Sequence, residues 1–275
     1  MKTRIISGIV MGVIVAVVLA LGFLVEPIII TVAVALIAVG AVYELIHNAA
    51  GIKDKAAWIG GCVFAFLFVI LSDNSLLVNK YSSLFLSPAL VKALILVYSF
   101  FAVIIILKNN KEFDLGKIVS LFAIPLPYAY AFSCLSGVIK HTDGIYYLLL
   151  LLNFSSICDM GAYFVGVTLG KHKLCPNLSP KKTVEGAVGG ILSSVVVTLV
   201  ISLCFGKFLG IPMLLTIPFC ILGMIGDLFA SAIKRSVGLK DYSNLIPGHG
   251  GILDRVDSII MIAPFLYLAI NLGVI

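Results

Sequence analysis

The sequence predicts an all-α polytopic integral membrane protein of about nine transmembrane helices, with the N-terminus cytoplasmic and the C-terminus outside. Three observations carry the fold class: apolar residues make up 61% of the 275 positions, charged residues only 12%, and the mean hydropathy is +1.18. A soluble chain of this length needs a polar skin, and the usual globular share of charge is about 25%. Soluble enzymes, disordered tails and disulfide scaffolds are excluded on that ground.

A helix crosses the hydrocarbon with roughly 20 apolar residues, and nine stretches meet that length: 5–25, 27–46, 56–72, 88–107, 117–139, 144–170, 184–206, 209–233 and 256–274. The first is the uncharged run Ile5 to Val25 behind Lys2 and Arg4. It is about twice a signal-peptide core and long enough to span, so it counts as a helix rather than a leader. Glu26-Pro27 marks a tight re-entry into the second span. Lys53 and Lys55 precede the third, and the fourth contains Lys92. Pro125 and Pro127 are expected to kink the fifth. The run Gly144 to Gly170 is too long for one simple crossing, so its end should emerge into solvent. The seventh follows a polar loop, the eighth ends at Lys234-Arg235, and the ninth follows a second polar loop.

With the N-terminus inside, fifteen Lys and Arg fall on the cytoplasmic side, against Lys80, Lys140 and Lys207 outside. That asymmetry sets the orientation, and nine crossings carry the C-terminus out. The net charge of +6 and the pI near 9.0 therefore express topology rather than nucleic-acid binding. Cys62, Cys134, Cys158, Cys204 and Cys220 lie in apolar stretches and Cys175 in a polar loop, without the spacing of a zinc site or a disulfide framework. Residues 1–140 read as generic transmembrane helices. Residues 141–275 read as a catalytic region with cytoplasmic loops at 171–183 and 234–255. No internal repeat is evident, and the charge is concentrated late in the chain.

Asp159 and Asp227 fall within apolar spans. A carboxylate in hydrocarbon costs about 2.5–3.5 kcal/mol on insertion scales, so each is a functional-site candidate. Asp227, Ser231 and Lys234 are spaced i, i+4, i+7 and share one helical stripe. Beyond it lie Lys234-Arg235, Lys240-Asp241, Pro247-Gly248-His249-Gly250-Gly251, Asp254-Arg255 and Asp257. Glycines around His249 allow backbone N–H groups to approach an anion. Asp254 and Asp257, one turn apart at a helix start, have the ordinary alternative of favouring the helix dipole. Three carboxylates among four cations suit a divalent metal bridging phosphates. In the earlier loop, Ser179-Pro180-Lys181-Lys182-Thr183-Val184-Glu185-Gly186 reads as a helix start with Ser179 as N-cap and Pro180 first in the helix, a setting for polyphosphate. For the lysines alone, a plain basic flank is the simpler reading.

The stretch Ser231 to Asp257 resembles the signature of the phosphatidate cytidylyltransferases, also called CDP-diacylglycerol synthases. Ser231, Lys234, Arg235, Lys240, Asp241, His249, Gly250, Gly251, Asp254, Arg255 and Asp257 all fall in its register. Asp159, Gly161-Ala162-Tyr163, Gly166, Gly170-Lys171 and Ser179 to Gly186 are similar to the same family, so the resemblance covers about the last 120 residues. It implies the reaction of CTP with phosphatidate to give CDP-diacylglycerol and pyrophosphate, with Mg²⁺ as one ion or two. It further implies that Asp227 and Asp254, together with Asp257, hold the metal. Ser179, Lys181, Lys182, Thr183, Glu185, Gly250 and Gly251 would bind nucleotide. Lys234, Arg235 and Arg255 would position phosphatidate, and His249 belongs to the catalytic set. Partners are then CTP, phosphatidate and membrane lipid in the cytoplasmic (bacterial inner) membrane, with self-association open. A transporter using Asp159 and Asp227 for ion coupling is the rival from another class, and a membrane CTP enzyme acting on an isoprenoid or ether lipid is the closer one.

Overall fold

The computed structural model describes residues 2–73, 88–109, 111–176, 178–207 and 210–275. Lys80, expected in an outer loop, lies outside the described residues. The order of elements is α1 (Lys2–Leu24), α2 (Ile28–Tyr43), α3 (Lys55–Leu71), α4 (Pro88–Lys108), α5 (Leu115–Ala123), α6 (Pro125–Ile139), α7 (Gly144–Leu152), α8 (Cys158–Leu169), β1 (Lys173–Cys175), β2 (Ser179–Thr183), α9 (Val184–Cys204), α10 (Gly210–Ser236) and α11 (Leu253–Asn271). Two π-helical segments continue helices without a break in the chain path: Glu44–Ala49 after α2, and Asn153–Ile157 between α7 and α8.

Each expected span coincides with helix. Seven helical stretches among the described residues are long and apolar enough to cross a membrane. α3 is shorter at 17 residues, and α11 opens with Asp254, Arg255 and Asp257, so the count of nine crossings is an expectation that length and apolarity alone do not reach. Pro27 stands at the N-cap of α2, and the fifth span breaks at Ile124, just before Pro125, into α5 and α6. The long sixth stretch stays helical over 26 residues, Gly144–Leu169, and its π-helical segment is an irregularity of a kind common at functional sites.

One local expectation is overturned. Ser179-Pro180 does not start a helix: Ser179–Thr183 is a strand, paired antiparallel with Lys173–Cys175, with Lys173 opposite Thr183 and Cys175 opposite Ser179. The helix starts at Val184, capped by Thr183, whose backbone is extended and whose hydroxyl accepts the Gly186 N–H at 3.1 Å. Proline's fixed φ suits a strand edge as well as a first helical turn, and a hydroxyl nearer the apolar run took the cap. The fold class is thus helical, with one small hairpin among the described residues.

The chain divides into two compact units. One contains residues 1–137 and 239–255; the other contains 138–238 and 256–275. In the first, Val42, Ile46, Phe64, Phe68, Tyr98 and Leu121 belong to one buried cluster. Phe64 and Tyr98 rings lie 4.4 Å apart, and the Tyr98 hydroxyl donates to the Leu121 carbonyl at 2.7 Å. Thr31 donates to Asp73 and itself meets Ser136 at 3.2 Å, so the buried acid there has a hydroxyl partner that is held in turn by a second hydroxyl.

In the second unit α8 and α9 approach through glycine. A Cβ on Gly190 would stand 2.5 Å from the Cys158 carbonyl oxygen, and one on Gly186 would stand 2.6 Å from that of Ala162. Small residues allow this backbone contact, the usual device where lipid provides no hydrophobic drive between helices. Asn153 donates to the Ser194 carbonyl at 3.0 Å and to Thr198 at 2.9 Å, and Thr198 meets Thr216 at 2.8 Å. This polar chain ties the π-helical segment to α9 and α10. Outside both units' cores, large apolar side chains such as Ile9, Val13, Leu96, Phe100, Leu192 and Val196 stand exposed, as lipid-facing positions require.

Candidate active site

Within the second unit, α10 positions Asp227, Ser231 and Lys234 on one stripe, as their spacing predicts, and Lys234 is buried while Arg235 at the same helix end is exposed. Strand β2 delivers Lys182 to this helix: its ammonium forms an ion pair with Asp227. The Lys182 nitrogen itself is enclosed. Lys181, the preceding residue on an alternating strand, is exposed. Asp159 on α8 and Asp257 on α11 are each within electrostatic reach of Asp227 and of each other, so three carboxylates share one neighbourhood with Lys182 and Lys234. Asp159, whose role the sequence left open, joins the set.

Other expected ligands have structural duties. Thr183 is committed to the helix cap. Glu185 folds back onto the hairpin: its carboxylate accepts the N–H groups of Lys171, at 3.0 Å, and His172, at 3.1 Å, and meets His172 Nδ1 at 2.6 Å. Ser179 closes the hairpin opposite Cys175. These three hold the platform from which Lys181 and Lys182 project.

Within the first unit lies the loop of residues 239–255. Gly248 and Gly250 adopt φ of 77° and 86°, a backbone only glycine takes readily, and this shapes the turn around His249. Ser7 of α1 meets His249 Nδ1 at 2.8 Å and donates to the Pro247 carbonyl at 2.9 Å, so the first helix orients this ring. Asp254 Oδ2 accepts two N–H groups at 2.9 Å, from Tyr242 and from Gly251. It ties the start of the loop to its end. Arg255, Lys240 and Asp241 are exposed.

One residue of this site escaped the sequence reading. Glu44, only 1% exposed, accepts the Ser243 hydroxyl at 2.6 Å and the N–H groups of Ile252 and Leu253 at 2.9 Å each. A Cβ on Gly251 would come within 2.5 Å of its carboxylate, so that glycine is required by contact rather than by φ. The signal was available: a lone carboxylate inside an apolar span, the argument that singled out Asp159 and Asp227.

The donor set of the second unit fits Mg²⁺ chemically. Its carboxylates offer only hard oxygen ligands, and Asp227 already carries a cation in the Lys182 ammonium. Among the described residues no three His, Cys, Asp or Glu side chains gather into a cage. Mg²⁺ does not need one, since one or two carboxylates plus phosphate oxygens and water complete its shell.

A model of the cytidylyltransferase family matches residues 2–272. The chain is 39% identical over 174 residues to the phosphatidate cytidylyltransferase of Bacillus subtilis strain 168, an alignment covering 61% of this chain and 63% of that protein. To the phosphatidate cytidylyltransferase of Staphylococcus epidermidis strain RP62A it is 35% identical over 232 residues, covering 74% and 87%. To that of Staphylococcus haemolyticus it is 44% identical over 128 residues, covering 46% and 49%. The chain thus spans less than two thirds of the length of some of the curated relatives it matches.

Proposed function

Because the chain belongs to the cytidylyltransferase family, we propose that it transfers the cytidylyl group of CTP to phosphatidate, giving CDP-diacylglycerol and pyrophosphate for phospholipid synthesis. The observation that carries this reading is the family match across nearly the whole chain, well beyond the C-terminal signature. The geometry of the acids and lysines supports it by its chemistry.

The reaction joins two anions. A phosphate monoester has a second pKa of about 6, so the phosphatidate headgroup is largely dianionic at neutral pH and needs no general base. One of its oxygens forms a bond to the α-phosphorus of CTP. The bond from that phosphorus to the oxygen bridging to the β-phosphate breaks, and pyrophosphate departs with the electron pair. What must be overcome is charge repulsion, and cations placed where charge develops lower it. Lys181 and Lys182 bind the triphosphate in this reading, released in part from Asp227 as the anion arrives. Lys234 and Arg235 orient the lipid phosphate, whereas the N–H groups of the glycine turn are spent within the loop, those of His249 and Gly250 on the Ile246 carbonyl and that of Gly251 on Asp254. Asp227 and Asp257 would hold Mg²⁺, which when bound neutralises charge on the triphosphate.

Purified Asp227→Asn, shown by thermal unfolding to be folded like the wild type, is expected to lose CTP-dependent conversion of phosphatidate. The loss should exceed about 100-fold, the upper end seen for partners that only support a metal ligand. Wild-type turnover in this variant would overturn the assignment. Running the same assay with isoprenoid phosphate in place of phosphatidate separates the lipid classes.

A further inference from the structure

The loop of residues 239–255 leads into α11, yet α11 has no cap of its own. α3, α5 and α9 are each capped by a side chain at the preceding residue: Asp54, Asp114 and Thr183. At the corresponding place α11 has Ile252, which has no acceptor. The first N–H groups of a helix are orphan donors and cost free energy when buried without a partner. Glu44 supplies the missing acceptor from the end of α2, taking the N–H groups of Ile252 and Leu253 at 2.9 Å and the Ser243 hydroxyl at 2.6 Å. In the same π-helical segment, Asn48 Nδ2 donates to the Tyr242 carbonyl at 2.8 Å. The segment therefore grips the loop at both ends.

We propose that Glu44 is a positioning residue for cytidylyl transfer: it fixes the first turn of α11, and with it Asp254 and Arg255, against the glycine turn around His249. The inference rests on the reaction proposed above. Glu44 reaches no substrate in this account. It acts through the backbone it holds, and both its oxygens are used. Glutamine in its place keeps the size but turns one oxygen into an amide donor that faces a hydroxyl or a backbone N–H. The cap is then half lost while the packing around it stays.

The test uses the full-length protein in detergent with CTP and phosphatidate. Glu44→Gln is expected to lower kcat by about 10- to 100-fold, the range of supporting partners. KM for CTP should stay within about threefold, because the lysines assigned to the triphosphate lie on β2 and the N–H groups of Gly250 and Gly251 are engaged within the loop rather than open to nucleotide. Hydrogen exchange should quicken in peptides covering residues 250–255, while peptides from α8 and α9 keep wild-type protection. Wild-type kcat would overturn the proposal. So would a loss of activity matched by an equal loss of folded protein, or a rise in KM for CTP that accounts for the whole effect. If the wild type makes no CTP-dependent product, the reaction assignment fails. The local exchange change then still decides whether Glu44 holds this turn.

Discussion

Lys182 and Lys181 are adjacent in the chain and different in circumstance. On a strand, neighbours point to opposite faces. Lys182 turns inward to its ion pair with Asp227, while Lys181 stays exposed. The two are therefore expected to separate in function. Lys182→Ala should raise the apparent KM for CTP by about 10-fold or more, the worth of a hydrogen bond to a charged group, and Lys181→Ala by less. Steady-state kinetics over a range of CTP concentrations checks this, and equal effects would mean that strand alternation does not govern their roles. The acids also divide. Asp254 closes the loop on two backbone N–H groups, whereas Asp227 faces a lysine. Spacing on a helix identified both residues as candidates, but it could not tell an acid that ties a loop from one that meets a cation. That difference depends on partners brought in from elsewhere in the chain.

At the scale of elements, long apolar runs were readable because only a helix satisfies its backbone inside hydrocarbon. The breaks at Pro27 and Ile124 followed from proline chemistry. The hairpin of β1 and β2 was not readable. Its strands are 3 and 5 residues long, and a Ser-Pro step fits a helix start equally well. Glu44 is a different case: as a lone carboxylate in an apolar span it is legible as a candidate, but its partners lie 199 to 209 residues away, so no local pattern announces what it holds. The contact of α8 with α9 makes a sharp prediction. Gly190→Ala places a methyl against the Cys158 carbonyl, where backbone rather than a flexible side chain must give way. Such overpacking costs about 1–3 kcal/mol, and a lowered unfolding midpoint in detergent would report it. An unchanged midpoint would show that the two helices separate freely.

At the scale of the molecule, the nine-crossing expectation predicts opposite sides for the two termini. A C-terminal alkaline phosphatase fusion should be active and a fluorescent-protein fusion at the same place dark; the reverse pattern would require an even number of crossings. The division into units adds an order in time. The first unit draws on residues 1–137 and on 239–255, so it stays incomplete until most of the chain has been made. At about 5–20 residues per second, roughly 10–40 s separate the synthesis of Glu44 from that of Ser243, its earliest partner in the loop. During that interval a carboxylate sits near the end of an apolar helix with its eventual donors still unmade. Protonation or water must meet the cost of that acid in the meantime, and the loop can close fully over Glu44 only after Leu253 has been made. A ribosome that stalls before residue 243 leaves behind a nascent protein in which Glu44 has none of these loop donors.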